Sequence, residues 1–411
     1  MNINHKRIGK LKNGTITPPP SKSLLHRALI CAALARGESE IKNAAYPGDI
    51  DATIGCLTDL GAKVKKSGNS VIVAGGDLRW DGSPLNCGDS ASTLRFLLPI
   101  AAHLNQNIIF TGSKRLFERP LGPFARFMEI GRTPGGEPRA AAKGPLSGGK
   151  INLPGDISSQ FVSGYLFALP LIDGEHEIEI SPRLESAPYA DMTVSMLKKF
   201  GVQVSHINHE RFFISGNQKY IPATVETEND YSQAAFFLCA AALSPDADII
   251  VAGLPDESAQ GDIEILNILQ SAGFEIFFTE NGIRVKAGHL NNITIDARDI
   301  PDLAPPVAAL CCFLPGKSEI INAGRLRYKE SDRLQTLCGV LRGLGAKITA
   351  ERDKLVIEGS ETIRGGYADA RGDHRIAMAA AVAAARCEGP VYLSGWESVG
   401  KSYPGFWDNF I

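Results

Sequence analysis

Lys22, Arg119, Arg375 and Lys401 each fall where the hydrophobic pattern predicts a helix to begin. The positive end of a helix dipole repels a cation, at a cost of roughly 0.3–1 kcal/mol unless something negative answers it. Several helix N-termini and cations directed into one space make an anion site, suited to a ligand with several phosphates or carboxylates. The densest charge lies in RLRYKESDRL, residues 325–334, where Lys329, Glu330 and Arg333 could also form an i, i+4 ladder on a solvated face. Its place at the opening of a helix whose counterparts carry charged groups favours ligand binding. Asp299 and Asp302 precede an apolar helix, and one of them is read as functional. A carboxylate beside many cations stays ionised at neutral pH and can take a proton from a bound hydroxyl. Ser90, Ser331, Asp49, Asp230 and Asp262 are read as helix caps.

The elements that hold these residues repeat. SKSLLHRALICAALA from Ser21 has five relatives: SASTLRFLLPIAAHL from Ser90, SSQFVSGYLFALPL from Ser158, YSQAAFFLCAAAL from Tyr231, LAPPVAALCCFL from Leu303 and HRIAMAAAVAAA from His374. Each is a small-residue apolar helix, then a polar or Gly turn, then a strand-like run. Interleaved segments such as LTDLGAKVKKSGNSVIVAGG and LRGLGAKITAERDKLVIEGS end an amphipathic helix at a glycine and continue as two alternating strands. The unit is β-α-β-α-β-β, six times. Copy two keeps a helix end at Gly131 but shows no alternating strands over 131–149, and copy six is cut short at Ile411.

A helix apolar on every face must be surrounded. The expected architecture is therefore α/β, with two globular domains of three repeats each, apolar helices inside and sheets outside. Pro-rich or polar joints at TPPPS and YIPATVETEND place the domains at 21–227 and at 1–20 with 228–411.

A chain of 411 residues with 44% hydrophobic content can fill more than one core, and a net charge of -2 gives no basic footprint for nucleic acid. No apolar run reaches membrane-spanning length and no secretory signal is seen, so the expected location is the cytoplasm. The eight cysteines lie mostly in apolar helical runs without a CxxC, and no histidine pair is read at ligand spacing. Reduced, buried thiols are expected, with no metal and no cofactor.

SKSLLHRALICAALA, CGDSASTLR, ERPLGP, DISSQF, ESAPYADMT, DIPDLAP, YKESDRL, GDHRIAMA and GKSYPGF occur in order along essentially the whole chain. In this the sequence resembles the 5-enolpyruvylshikimate-3-phosphate synthases. The resemblance implies a two-domain enzyme whose active-site cleft lies between the domains and closes on two small-molecule partners, shikimate 3-phosphate and phosphoenolpyruvate; with both faces of the cleft supplied by one chain, a monomer is expected. It implies that shikimate 3-phosphate is held by Lys22, Ser23, Arg27, Ser158, Ser159, Gln160, Ser186, Tyr189, Asp302 and Lys329. Phosphoenolpyruvate and its chemistry would fall to Lys22, Ala91, Arg119, Gln160, Glu330, Arg333, Arg375 and Lys401. Asp302 would take the proton from the attacking 5-hydroxyl, Glu330 or Lys22 would protonate C3, and Lys22, Arg119 and Lys401 would stabilise the charge on the adduct.

The chain departs from the family pattern at Asp89 and Ala91, in a loop that commonly carries Asn and Gly there. The Ala91 methyl is expected to crowd the site, so that phosphoenolpyruvate fits while the longer competitor glyphosate binds poorly. Pro20 replaces a glycine and stiffens a linking strand, and Arg325 stands where some members reach the shikimate phosphate through a neutral residue. The sister transferase acting on UDP-N-acetylglucosamine is disfavoured by Lys22-Ser23 in place of Lys-Asn and by a loop, TGSKRLFERP, without cysteine. An RNA-end cyclase is disfavoured by the balanced charge. A non-catalytic anion-binding scaffold is the third reading, and only an assay separates it.

Overall fold

In the computed structural model, which describes residues 4–410, the chain crosses twice between two units, Pro20–Glu228 and Met1–Pro19 with Asn229–Ile411. The first unit holds α1 (Lys22–Leu34), α2 (Gly48–Asp59), α3 (Ala91–Leu104), α4 (Lys114–Glu118), α5 (Ser159–Ala168) and α6 (Ala187–Lys199). The second holds α7 (Tyr231–Ala242), α8 (Ile265–Ser271), α9 (Ala304–Cys311), α10 (Arg333–Gly343) and α11 (His374–Ala384). Every residue of α7, α9 and α11 is buried, and these three pack on one another. In the first unit α5 packs against both α3 and α6. Pro99 inside α3 has no N–H to offer the carbonyl of Arg95, and Gly164 of α5 lies against that oxygen. A Cβ at Gly164 would stand 2.4 Å from it, so only glycine permits this approach.

Five sheets share one pattern of four strands, the first pair parallel and the rest antiparallel. In the first unit they are 224–226, 37–42, 70–75, 63–67; then 85–86, 109–111, 138–142, 128–132; then 150–153, 175–180, 211–215, 205–207. In the second they are 14–16, 249–251, 282–287, 274–279 and 294–296, 317–321, 355–358, 347–350. The strand before α1, Gly14–Ile16, joins the sheet of α7, while the strand before α7, Thr224–Glu226, joins the sheet of α1. Each unit thus keeps in its own sheet the strand that leads out of it toward the first helix of the other.

Two expectations are corrected. The stretch around Gly131 does form strands: Met128–Arg132 pairs antiparallel with Pro138–Ala142, which also pairs with Ile109–Thr111. Its Ala-rich sequence has little strand preference of its own, and the ladder on both sides imposes the conformation. Copy six is completed by the N-terminus, since Lys6–Ile8 pairs antiparallel with 391–393 at the edge of its sheet. All eight cysteines are buried and free. No helix among the described residues is long and apolar enough to cross a membrane.

Candidate active site

Ser21 caps α1, accepting from the Leu24 N–H, and so places Lys22 at its first position. The cation is answered within the protein: Lys22 Nζ meets Asp49 Oδ2 at 2.6 Å. Asp49 is therefore not the expected cap. Pro47 holds that place without a side-chain bond, and Asp49 turns to Lys22 from the first turn of α2.

Arg27 lies one turn further along α1 and is 2% exposed. It donates to Thr193 Oγ1 at 2.8 Å and to the carbonyls of Ser23 and Tyr189 at 2.7 Å each. All three acceptors are neutral, and burial pulls the guanidinium down to about 10. A buried cation held only by neutral dipoles attracts an anion strongly.

A second arginine does similar work and was not among the expected residues. Arg95, 4% exposed in α3, donates to Gln160 Oε1 at 2.8 Å and to the Pro120 carbonyl at 2.8 Å, with its guanidinium 4.8 Å above Phe161. Gln160 Nε2 then donates to Ser92 Oγ at 2.9 Å. This chain joins the starts of α3 and α5, which Ser90 and Ser158 cap. Ala91 is the first residue of α3 and is 5% exposed, and Ser159 is buried at the start of α5. Ser186 precedes α6 with φ of 57° and no side-chain cap bond. The signal for Arg95 was present: it is the one charge in an otherwise apolar helical run, as Arg27 is among the last residues of SKSLLHR.

In the second unit Asp302 meets Arg375 Nη2 at 2.9 Å, Arg333 Nη1 at 3.1 Å and Lys329 Nζ at 3.6 Å. Glu330 meets Arg333 Nη2 at 2.6 Å and Lys401 Nζ at 3.6 Å. Asp373 caps α11 through the Arg375 N–H and accepts from Arg333 Nε at 2.9 Å and from Ser331 Oγ at 3.0 Å. Burial raises the Asp302 pKa, but Arg375, Lys329 and Arg333 outweigh it and hold the carboxyl well below the usual range. Lys329 is pulled down to about 8 by burial, with Asp302 opposing and Arg333 adding to the effect. Burial lowers the Arg333 pKa, yet Asp373, Glu330 and Asp302 together hold it above the ordinary value.

Several expected placements are corrected. Arg119 follows the end of α4 and does not open a helix, because the residue before Pro120 is driven to extended backbone, here φ -76° and ψ 147°. Lys401 ends the 3-10 stretch Trp396–Lys401. Asp332, not Ser331, caps α10, and Asp262 lies inside the 3-10 stretch Gly261–Glu264. The solvated ladder is absent: Glu330 and Arg333 pair at i, i+3, and Arg333 is 1% exposed. Asp191, His206 and His209, for which no ligand spacing was read, come together where a hairpin meets α6, with ligand atoms within 4.8 Å of one another. Nothing in GDHRIAMA itself marks Asp373, since its contacts are set by a helix distant in sequence.

The cations at Lys22, Arg375 and Lys401 are thus answered by Asp49, Asp302 and Glu330. Cations so paired at helix ends do not by themselves demand a ligand. What the arrangement offers is a set of carboxylates that an anionic ligand must compete with for the same cations.

The sequence matches the family described as EPSP synthase (3-phosphoshikimate 1-carboxyvinyltransferase) over residues 6–410. It is 43% identical to the 3-phosphoshikimate 1-carboxyvinyltransferase of Clostridium kluyveri over 402 residues, 97% of this chain and 94% of that one. It is 42% identical to that of Clostridium acetobutylicum over 405 residues, 96% of this chain and 94% of the relative. Among solved structures, EPSP synthase from Acinetobacter baumannii superposes with a TM-score of 0.80 at 26% identity, covering 98% of this chain and 96% of that one. The enolpyruvyl transferase NikO from Streptomyces tendae shares the fold, with a TM-score of 0.77 at 18% identity over 98% of this chain and 95% of that one.

Proposed function

The chain belongs to the EPSP synthase (3-phosphoshikimate 1-carboxyvinyltransferase) family, and from that premise we propose how its own residues divide the reaction. The reaction moves the enolpyruvyl group of phosphoenolpyruvate to the 5-hydroxyl of shikimate 3-phosphate and releases inorganic phosphate. The observation that carries our reading is the Asp302 carboxylate held by Arg375, Arg333 and Lys329.

Pinned in that way, Asp302 is a weak base. Each substrate brings a phosphate and a carboxylate, and these anions compete with Asp302 and Glu330 for the same cations. As the substrates draw charge from Arg375, Arg333 and Lys329, the proton affinity of Asp302 rises toward that of an ordinary carboxylate. Base strength then appears when both substrates are bound. Asp302 takes the 5-hydroxyl proton as that oxygen bonds to C2 of phosphoenolpyruvate, and C3 gains a proton from Glu330 or Lys22. Loss of a C3 proton and cleavage of the C2–O bond to phosphate complete the exchange, with Lys22, Arg119 and Lys401 stabilising the leaving charge.

In this reading Arg27 with Ser23, Ser158, Ser159, Gln160, Ser186, Tyr189 and Lys329 hold shikimate 3-phosphate, and Arg95 fixes the Gln160 amide. The domains 21–227 and 1–20 with 228–411 supply the shikimate side and the phosphoenolpyruvate side. One chain carries both sets, so it acts as a monomer in the cytoplasm.

Phosphate release from phosphoenolpyruvate, measured with shikimate 3-phosphate and separately with UDP-N-acetylglucosamine, tests the assignment. Turnover with the first only is expected, and turnover with neither leaves the scaffold reading. Asp302→Ala should keep substrate binding while kcat falls by about 100-fold or more. An unchanged kcat removes Asp302 from the mechanism.

A further inference from the structure

The third repeat of the first unit ends in a hairpin, Ser205–Ile207 and Arg211–Ser215, that carries His206 and His209 toward α6. His209 Nε2 lies 2.7 Å from Asp191 Oδ1 and His206 Nε2 lies 3.5 Å from the same atom. The two imidazoles stack with centroids 4.4 Å apart, and His206 also rests on Phe212 at 5.2 Å. Three ligands around a tetrahedral zinc, each about 2 Å from the metal, stand about 3.3 Å from one another; here the two nitrogens lie 2.7 and 3.5 Å from the Asp191 oxygen, and all three atoms lie within 4.8 Å of one another.

We propose that Asp191, His206 and His209 form a binding site for a divalent transition metal, zinc by preference, that ties this hairpin to α6. The donor set is two imidazoles and one carboxylate, which suits zinc and not calcium or magnesium. The three side chains are between 27% and 41% exposed, so an ion held by them would be open to solvent.

The turn itself argues that the histidine matters. Asn208 and His209 both sit in the left-handed region, with φ of 50° and 57°, and the Glu210 N–H closes onto the Ile207 carbonyl at 2.9 Å. Such turns favour Asn followed by Gly, yet the second place here holds a histidine directed at Asp191. His209 therefore accepts a backbone conformation that glycine would adopt at lower cost.

A plain His–Asp contact would also use Asp191, but it needs only one histidine. The second ring is brought to the same oxygen, with Nε2 the nitrogen turned toward it at 3.5 Å. Tyr189 and Thr193, the partners of Arg27, lie two residues either side of Asp191. The proposed site is thus on the reverse face of α6 and leaves those contacts untouched.

The experiment uses tag-free, chelator-treated full-length chain, titrated with Zn2+ by calorimetry and with Co2+ by visible absorption. One equivalent is expected to bind with a Kd in the micromolar range or below, with a visible Co2+ band of low-coordinate N/O type and a higher melting temperature. His206→Ala and His209→Ala should each weaken binding at least tenfold, and Asp191→Asn, which keeps the side-chain shape, should do the same without unfolding the chain. Absence of stoichiometric binding up to 1 mM Zn2+, or equal binding by wild type and Asp191→Asn, would overturn the proposal.

Discussion

Arg333 and Asp373 meet in the interior of the second unit, Nε to Oδ2 at 2.9 Å, with the Asp373 side chain fully buried and that of Arg333 2% exposed. The same carboxylate caps α11, so one residue sets both the start of the helix bearing Arg375 and the orientation of the arginine that reaches Asp302 and Glu330. Breaking a buried pair from one side costs about 3–5 kcal/mol, because the remaining charge stays buried. Asp373→Ala should lose stability of that order in urea unfolding, and Asp373→Asn, which keeps an N-cap acceptor, should lose less. A loss below about 1 kcal/mol for the alanine variant would show that the other two carboxylates suffice.

Lys329 gives the site a pH limit. Burial pulls its pKa to about 8, so the charge is present below that pH and is lost above it. The KM for shikimate 3-phosphate should rise as pH passes about 8, with kcat less affected. Lys329→Arg keeps its charge and should flatten that rise. Identical profiles for the two proteins would mean that Lys329 does not hold shikimate 3-phosphate.

Ala91 opens α3 with its methyl almost buried. Ala91→Gly should lower the glyphosate concentration needed for half-inhibition by tenfold or more while changing the KM for phosphoenolpyruvate little. Inhibition of the wild-type chain at micromolar glyphosate would contradict the expected crowding.

His26 carries an acid sensitivity unrelated to catalysis. It is 1% exposed, its Nδ1 is 2.8 Å from Thr53 Oγ1, and burial, with Lys22 adding to it, lowers its pKa from 6.5 to about 3. Between those values the unfolded chain binds a proton that the folded chain does not, so stability is retained above 6.5 and falls as pH drops toward 3. The expected slope is about 1.4 kcal/mol per pH unit from this group alone. The urea midpoint of His26→Gln should fall less steeply over that range, and parallel curves would assign the acid loss to other groups.

The α/β class and the six apolar helices were legible because a helix such as YSQAAFFLCAAA leaves no polar face, and no partner needs to be known to read that. The lysines and arginines were legible as types. Their settings were not: whether Arg119 begins or follows a helix depends on Pro120 acting on backbone torsion, and Lys401 ends a 3-10 stretch that has no strong periodicity. PRAAA at 138–142 has no alternation to read and becomes a strand through its neighbours. Pairings across long sequence distances stayed hidden for the same reason, as with Lys6–Ile8 on 391–393 and Asp373 on Arg333.

The strands that lead into the crossings bear on how such a chain can be cut. At one end of the crossings the Ser21 N–H donates to the Glu228 carbonyl at 2.7 Å, and at the other the Asp230 N–H donates to Pro19 at 2.8 Å. Each unit therefore brings its own two severed ends together. A gene encoding Pro20–Glu228 would specify a free-standing cassette with all its strands, and a short splice from Pro19 to Asn229 would heal the remainder. A cut made at the repeat borders instead would strip Gly14–Ile16 or Thr224–Glu226 from the sheet that owns it and expose a raw edge.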